Sequence, residues 1–157
     1  VTDPTEEHPR RLELTSLMTP DMVNFSGKVH GGALLKLLDE VAYSCAARYS
    51  GHYVATVMLD DAIFREPVYV GELVTFRACV NWVGRTSMEV GIRVIAENHR
   101  TRTQRHVMSC FFIMVAMEEE GGTCEVPRFE PSTEDDRRRW ADAELRRAEH
   151  KRWRERE

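Results

Sequence analysis

The stretch from about Gly32 to Tyr49 constrains this chain more than any other. It holds no proline, is rich in alanine and leucine, and runs into Ser50-Gly51, a C-terminal stop signal. Lys36, Glu40, Ser44 and Arg48 recur every four residues and make a single polar stripe. The rest, Leu34, Leu35, Leu37, Leu38, Val41, Ala42, Cys45 and Ala46, is an apolar surface wider than a surface helix needs. Such a helix has to be covered around most of its girth.

The cover has to come from strands. From Glu72 to Val83 the even positions Val74, Phe76, Ala78, Val80 and Trp82 are apolar, with Thr75, Arg77 and Asn81 between them. From Thr86 to Glu97 the even positions Met88, Val90, Ile92, Val94 and Ala96 alternate with Glu89, Arg93 and Glu97. Both are period-two patterns of half-buried strands. Gly84-Arg85 between them suits a two-residue type II′ hairpin. Further strands are expected at about Tyr53–Phe64 and Arg102–Met117, with an early one near Arg11–Leu17. One buried helix and several antiparallel strands give an α+β fold in which a sheet wraps the helix. The hotdog architecture fits that order.

The composition breaks near Pro131, so residues 1–131 read as one domain and 132–157 as a charged C-terminal helix. Thr133 is placed to cap it, with Glu134, Asp135 and Asp136 in the first turn. Glu134/Arg138, Asp135/Arg139 and Asp142/Arg146 are acid-then-arginine pairs four residues apart. Trp140, Leu145 and Trp153 are its only evident anchors, and the expectation is a solvated helical tail.

A length of 157 residues suits one domain with a real core. The net charge of -4 gives no reason to expect a nucleic-acid partner. The acidic N-terminus carries no secretory signal pattern, and the longest apolar run, Cys110 to Met117, falls far short of a membrane span. Cys45, Cys79, Cys110 and Cys124 form no CxxC pair, and three of them sit in apolar segments. That pattern argues for reduced thiols and a cytoplasmic protein. Among the six histidines there is no HExxH or other metal-ligand spacing, and no metal or cofactor is expected. GxxxxGK[ST], GxGxxG and GxSxG are all missing, which removes the usual anchors of nucleotide hydrolysis, dinucleotide binding and α/β-hydrolase chemistry.

Chemistry concentrates in residues 24–40, NFSGKVHGGALLKLLDE. Asp39 lies in the apolar helix, where a carboxylate is costly unless paired. Either it pairs with Lys36 at the edge of the polar stripe, or it is a working group. Val29-His30-Gly31-Gly32 opens the helix, where unpaired N–H groups suit an oxyanion hole. Equally, Gly31-Gly32 permits close packing of helix on sheet. Gly32 and Asp39, seven residues apart, are separated by ~10 Å along the helix axis. One copy of the helix cannot bring both to a single carbonyl, whereas two copies about a two-fold axis can. A site built from them spans a dimer.

Asn24, Gly31-Gly32, Asp39-Glu40, Thr56-Val57, Asp60, Phe64, Pro67-Val68, Val70-Gly71 and Val83-Gly84-Arg85-Thr86-Ser87-Met88 occur in order. The series resembles the acyl-CoA hydrolase branch of the hotdog thioesterases over roughly residues 12–131. The resemblance implies hydrolysis of acyl-CoA to a free acid and coenzyme A by a homodimer that assembles further to a tetramer or hexamer. It makes Asp39 the catalytic carboxylate, acting as general base or nucleophile, and Asn24 its helper from the partner subunit. Gly32 becomes the amide facing the thioester oxygen. Gly31 and His30 line the substrate, while Arg85, Thr86 and Ser87 contact coenzyme A. His30 stands where this branch often has an aromatic residue, although related branches carry His-Gly-Gly. Another hotdog enzyme, such as an acyl-CoA hydratase, and a non-catalytic acyl-CoA-binding module are the alternatives.

Overall fold

The structure, a computed structural model, describes residues 7–157. The chain runs β1 (Arg11–Leu17), a 3-10 turn (Pro20–Met22), α1 (Gly31–Ser50), β2 (Tyr53–Asp60), β3 (Leu73–Val83), β4 (Ser87–Asn98), β5 (Thr103–Glu118), β6 (Gly122–Thr123) and α2 (Glu134–Arg154). All six strands join one antiparallel sheet in the order β1-β3-β4-β5-β2, with β6 pairing the end of β5. The sheet wraps α1, the hotdog architecture expected from the sequence. Among the described residues no helix is long and apolar enough to cross a membrane.

Helix α1 ends where Gly51 takes a left-handed φ of 75° and its amide caps Ala47 O at 2.8 Å. Leu34, Leu38, Val41, Ala42, Cys45 and Ala46 are buried against Val74, Phe76, Val80, Met88, Val90, Phe112 and Met114 of the sheet. Burying a side chain such as Leu38 contributes about 1.5–3 kcal/mol. Burial also pushes the Cys45 and Cys110 thiols up to about 12, which keeps them protonated and unreactive.

Two details depart from the simple alternation. A β-bulge shifts the register between Val80 and Trp82, so Val83 turns inward and Trp82 outward. The strict pattern had assigned Trp82 to the inner face; it lies instead 6.0 Å from Trp140 of α2. The β3–β4 connection is Gly84-Arg85-Thr86 rather than two residues, and Gly84 is not among the positive-φ glycines. Gly84 is there for space: a Cβ would lie 2.7 Å from Trp82 Cη2.

Helix α2 is no free tail. It packs on the outer face of the sheet, with Ala143 and Asp136 buried. Arg146 Nη2 donates to Glu89 Oε1 of β4 at 2.7 Å, and its guanidinium lies 3.6 Å from the centroid of the Phe111 ring. Leu145 and Trp153, two of the expected anchors, are exposed. The periodicity of the strands showed one face as polar, and a polar face reads as solvated until its partner is known.

Asp136 accepts from Arg10 Nη2 at 2.7 Å and Arg11 Nη2 at 3.3 Å, while its amide donates to the capping Thr133 hydroxyl. The Arg10 hydrogen bonds hold its carboxyl below the ordinary 3.8. Glu72 is likewise held below 4.5 by the hydrogen bonds of Arg105, which tie the loop before β3 to β5. A lowered folded pKa contributes stability above the ordinary value and loses it as pH falls through the folded value. Tm should therefore be flat above about pH 5 and fall steeply below pH 4. Asp136→Asn should lower Tm at pH 7 and flatten the acid limb; a limb as steep as in the wild type would count against the Asp136 anchor.

Candidate active site

Helix α1 opens at His30, whose extended backbone makes it the N-cap. Its Nδ1 accepts the amide of Ala33 at 3.0 Å, an interaction of about 1 kcal/mol in such caps. The amides of Gly31 and Gly32, in the same turn, have no partner among the described residues. Both glycines are exposed, and a Cβ on Gly32 would press the capping ring at 3.2 Å. Phe64 packs over Gly31, with 3.5 Å left for any Cβ there. The geometry leaves two helix-end donors open beside an aromatic ring.

Two turns along, Asp39 is exposed in the protomer. Of the alternatives for this residue, the Lys36 pairing is not what forms: Thr56 Oγ1 donates to Asp39 Oδ1 at 2.6 Å. Thr56 sits on β2 directly before a bulge that shifts the register between Thr56 and Met58. The inner phase of β2 thus ends at the hydroxyl that meets the helix. Oδ2 of Asp39 takes no partner among the described residues.

Asn24 anchors a tight loop. Its Oδ1 accepts from the Ser26 amide at 2.9 Å, the Ser26 hydroxyl at 2.7 Å and the Lys28 amide at 3.1 Å. Gly27, at φ 81°, closes the turn, and Phe25 at the tip is fully exposed. Nδ2 of Asn24 donates to nothing among the described residues. Asn24 and Asp39 share no hydrogen bond within the protomer.

In the turn after β3 the backbone is committed: Arg85 O accepts from Val126 N at 3.0 Å and Thr86 O from Ala116 N at 2.9 Å. The Gly84 amide bonds Ser87 O at 2.8 Å, which leaves the Arg85 side chain projecting from the sheet end. Register puts this turn at the end of the sheet where α1 finishes, since Ser87 pairs Val115 and Val54 pairs Ala116. Gly31 and Gly32 lie toward the opposite end, near the bridge between Lys28 and Tyr69. The 20 residues of α1 separate the two by ~30 Å. Within one protomer the expected oxyanion donors, the carboxylate and the expected coenzyme A turn do not meet.

Helix α1, β2 and the loop after β2 carry exposed apolar side chains. Tyr43, Tyr53, Val57, Leu59, Ile63 and Phe64 are all exposed. Among the described residues β2, at an edge of the sheet, pairs only with β5, which leaves one row of its backbone groups outward.

Residues 26–103 match the family described as the Thioesterase superfamily. Protein VdlD of Helicobacter pylori is 45% identical over 133 residues, which cover 85% of this chain and 76% of that protein. The chain belongs to the thioesterase superfamily. As a member of it, the chain also resembles solved structures over about nine-tenths of its length. A crystal structure of an apo-hexameric acyl-CoA thioesterase, 33% identical, covers 90% of this chain and 91% of its own with a TM-score of 0.86. An acyl-CoA hydrolase from Bacillus cereus, also 33% identical, covers 92% and 88% with a TM-score of 0.84.

One site residue had no role from sequence reasoning. Thr56 is the only side chain that hydrogen-bonds Asp39 among the described residues. Its signal was a hydroxyl in phase with Val54 on the inward face of β2, where an apolar residue is the rule. Only the fold brings it to Asp39, 17 residues earlier.

Proposed function

We propose that this chain is an acyl-CoA thioesterase, hydrolysing the thioester to a carboxylic acid and coenzyme A at a site completed by a second copy. The observation that carries the reading is Asp39 itself: a carboxylate on the helix that forms the core, steered by Thr56 at 2.6 Å and exposed in the protomer. Thiolate is a good leaving group, so one oriented carboxylate suffices as base toward water or as nucleophile forming a mixed anhydride. The free amides of Gly31 and Gly32 are suited to the oxyanion. Asn24, with its Nδ2 unused, is suited to orient water or the carbonyl from the partner subunit. Arg85, with Thr86 and Ser87, would then meet the phosphates of coenzyme A by guanidinium geometry, also across the dimer.

The exposed β2 edge and its apolar neighbours support a homodimer, and the hexameric relative supports further assembly. In this reading residues 1–131 carry the catalytic unit and 132–157 form the helix packed on its outer face. Buried free thiols suit a reducing, cytoplasmic setting.

The test is release of free thiol from a panel of acyl-CoAs by the purified protein. Rapid release from at least one substrate is the expected result. Tight acyl-CoA binding with no release from any of them would overturn the hydrolase in favour of a binding module.

A further inference from the structure

Helix α2 reaches from one edge of the sheet to the other. Asp136 meets Arg10 and Arg11 beside β1, Arg146 meets Glu89 on β4, and His150, four residues further, arrives at β2. There His150 Nε2 lies 2.9 Å from Asp60 Oδ2, the one ion pair between α2 and β2 among the described residues. The two side chains are only 21% and 25% exposed, so water screens the pair incompletely. The bulge between Thr56 and Met58 makes the contact possible. Before it, Val54 is buried and Thr56 turns to Asp39 on α1; after it, Met58 lines a cavity with Ile113, Arg147 and Ala148 on the α2 side. Asp60, two residues beyond Met58, shares that outer face. One irregularity thus sends Thr56 to the carboxylate and Asp60 to the outer helix.

Asp60 also governs the segment that follows it. Its Oδ1 accepts the Asp61 amide at 3.0 Å, and Asp61 takes a left-handed φ of 54°. Backbone of that kind persists where its neighbours hold it. The loop beyond is tied twice, by the Ile63 amide to Asp61 O at 2.8 Å and by the Arg65 amide to Val107 O at 2.9 Å. Between those ties Phe64 sets its Cζ 3.5 Å from where a Cβ on Gly31 would stand. The Gly31 amide is one of the two open donors at the start of α1. Printed contacts therefore run unbroken from the outer helix, through the end of β2, to the helix start.

We propose that Asp60 and His150 are positioning residues for the active site: through Asp61 they hold the loop that seats Phe64 against the start of α1. The inference rests on the thioesterase reading above, since it concerns the same pair of amides. The ion pair carries no chemistry of its own. It fixes where β2 ends and the loop turns back, and Phe64 then shields one side of the Gly31 amide from water. A shielded, fixed donor is worth more to a developing oxyanion than a solvated one. Because that gain is made in the transition state, loosening the loop lowers kcat more than it raises KM.

The test is a mutant cycle read by thiol release from acyl-CoA, with Tm and size-exclusion elution recorded for every full-length protein. It compares His150→Ala, Asp60→Ala, Phe64→Ala and the doubles His150→Ala/Asp60→Ala and His150→Ala/Phe64→Ala. Each single change should lower kcat by about twofold to thirtyfold with KM little altered. Neither double should fall much below the worse of its singles, because both members break the same connection. His150→Gln, which keeps an N–H donor near the same place, should recover most of what His150→Ala loses. A pair that merely fastens α2 to the sheet gives a lower Tm with kcat intact, and that result overturns the proposal. Losses that multiply in either double overturn it too. No thiol release by the wild type from any acyl-CoA sinks the thioesterase reading and the proposal together, whereas wild-type release with unchanged kcat in His150→Ala removes the proposal alone.

Discussion

Asp39→Ala and Asn24→Ala should each abolish most thioester hydrolysis, and mixing the two inactive proteins should restore part of it. Loss of a positioned base costs about 10²–10⁴ in rate, and loss of one polarising donor about 10²–10³. Neither residue touches the core. Asp39 is exposed, and the Asn24 loop is held mainly by its own hydrogen bonds. Size-exclusion elution and Tm should stay close to wild type for Asp39→Ala. The complementation follows from symmetry. In a site shared across a two-fold axis, half the dimers formed by random mixing are mixed, and each has one intact site of two. Recovery should approach about a quarter of wild-type activity after subunit exchange. No recovery, with exchange verified, would place both residues in one subunit and sink the shared site. The ~10 Å along α1 between Gly32 and Asp39, and the lack of any hydrogen bond between Asn24 and Asp39 within the protomer, are the structural reasons to expect sharing.

Arg146→Ala should be the most damaging single change on the outer face. Glu89 is 1% exposed and Arg146 18% exposed, and the pair is joined at 2.7 Å and 3.1 Å. Removing the arginine strands a buried carboxylate, which in comparable pairs costs about 3–5 kcal/mol. For a domain of this length that corresponds to a drop in Tm of about 10 °C. Much of the loss should return in the double variant Arg146→Ala/Glu89→Gln, because the remaining amide carries no charge to strand. Arg138→Ala, which removes exposed pairs with Asp135 and Asp142, should leave Tm nearly unchanged. Equal Tm losses for Arg146→Ala and Arg138→Ala would show that α2 is not anchored through Glu89.

These two predictions fall on either side of what one-dimensional pattern can reveal. Helix α1 was legible from its width of apolar surface, and β3 and β4 from their alternation, because burial on one face writes a period into the chain. Thr133 as the cap of α2 was equally plain, and its hydroxyl accepts the Asp136 amide at 3.0 Å. The strand from Tyr53 was expected to reach Phe64 but stops at Asp60, where Asp61 takes a left-handed φ of 54° that local composition did not signal.

The sequence by itself determined the wrap of a sheet around one helix and the family. Those features rest on local periodicity and on residues close together in the chain. Tertiary structure alone decided that Thr56 steers Asp39, that a bulge turns Trp82 outward, and that α2 covers the polar face through Glu89 and Arg146. Each of these joins residues far apart in sequence, and a polar face carries no mark that distinguishes water from a second charged surface as its partner.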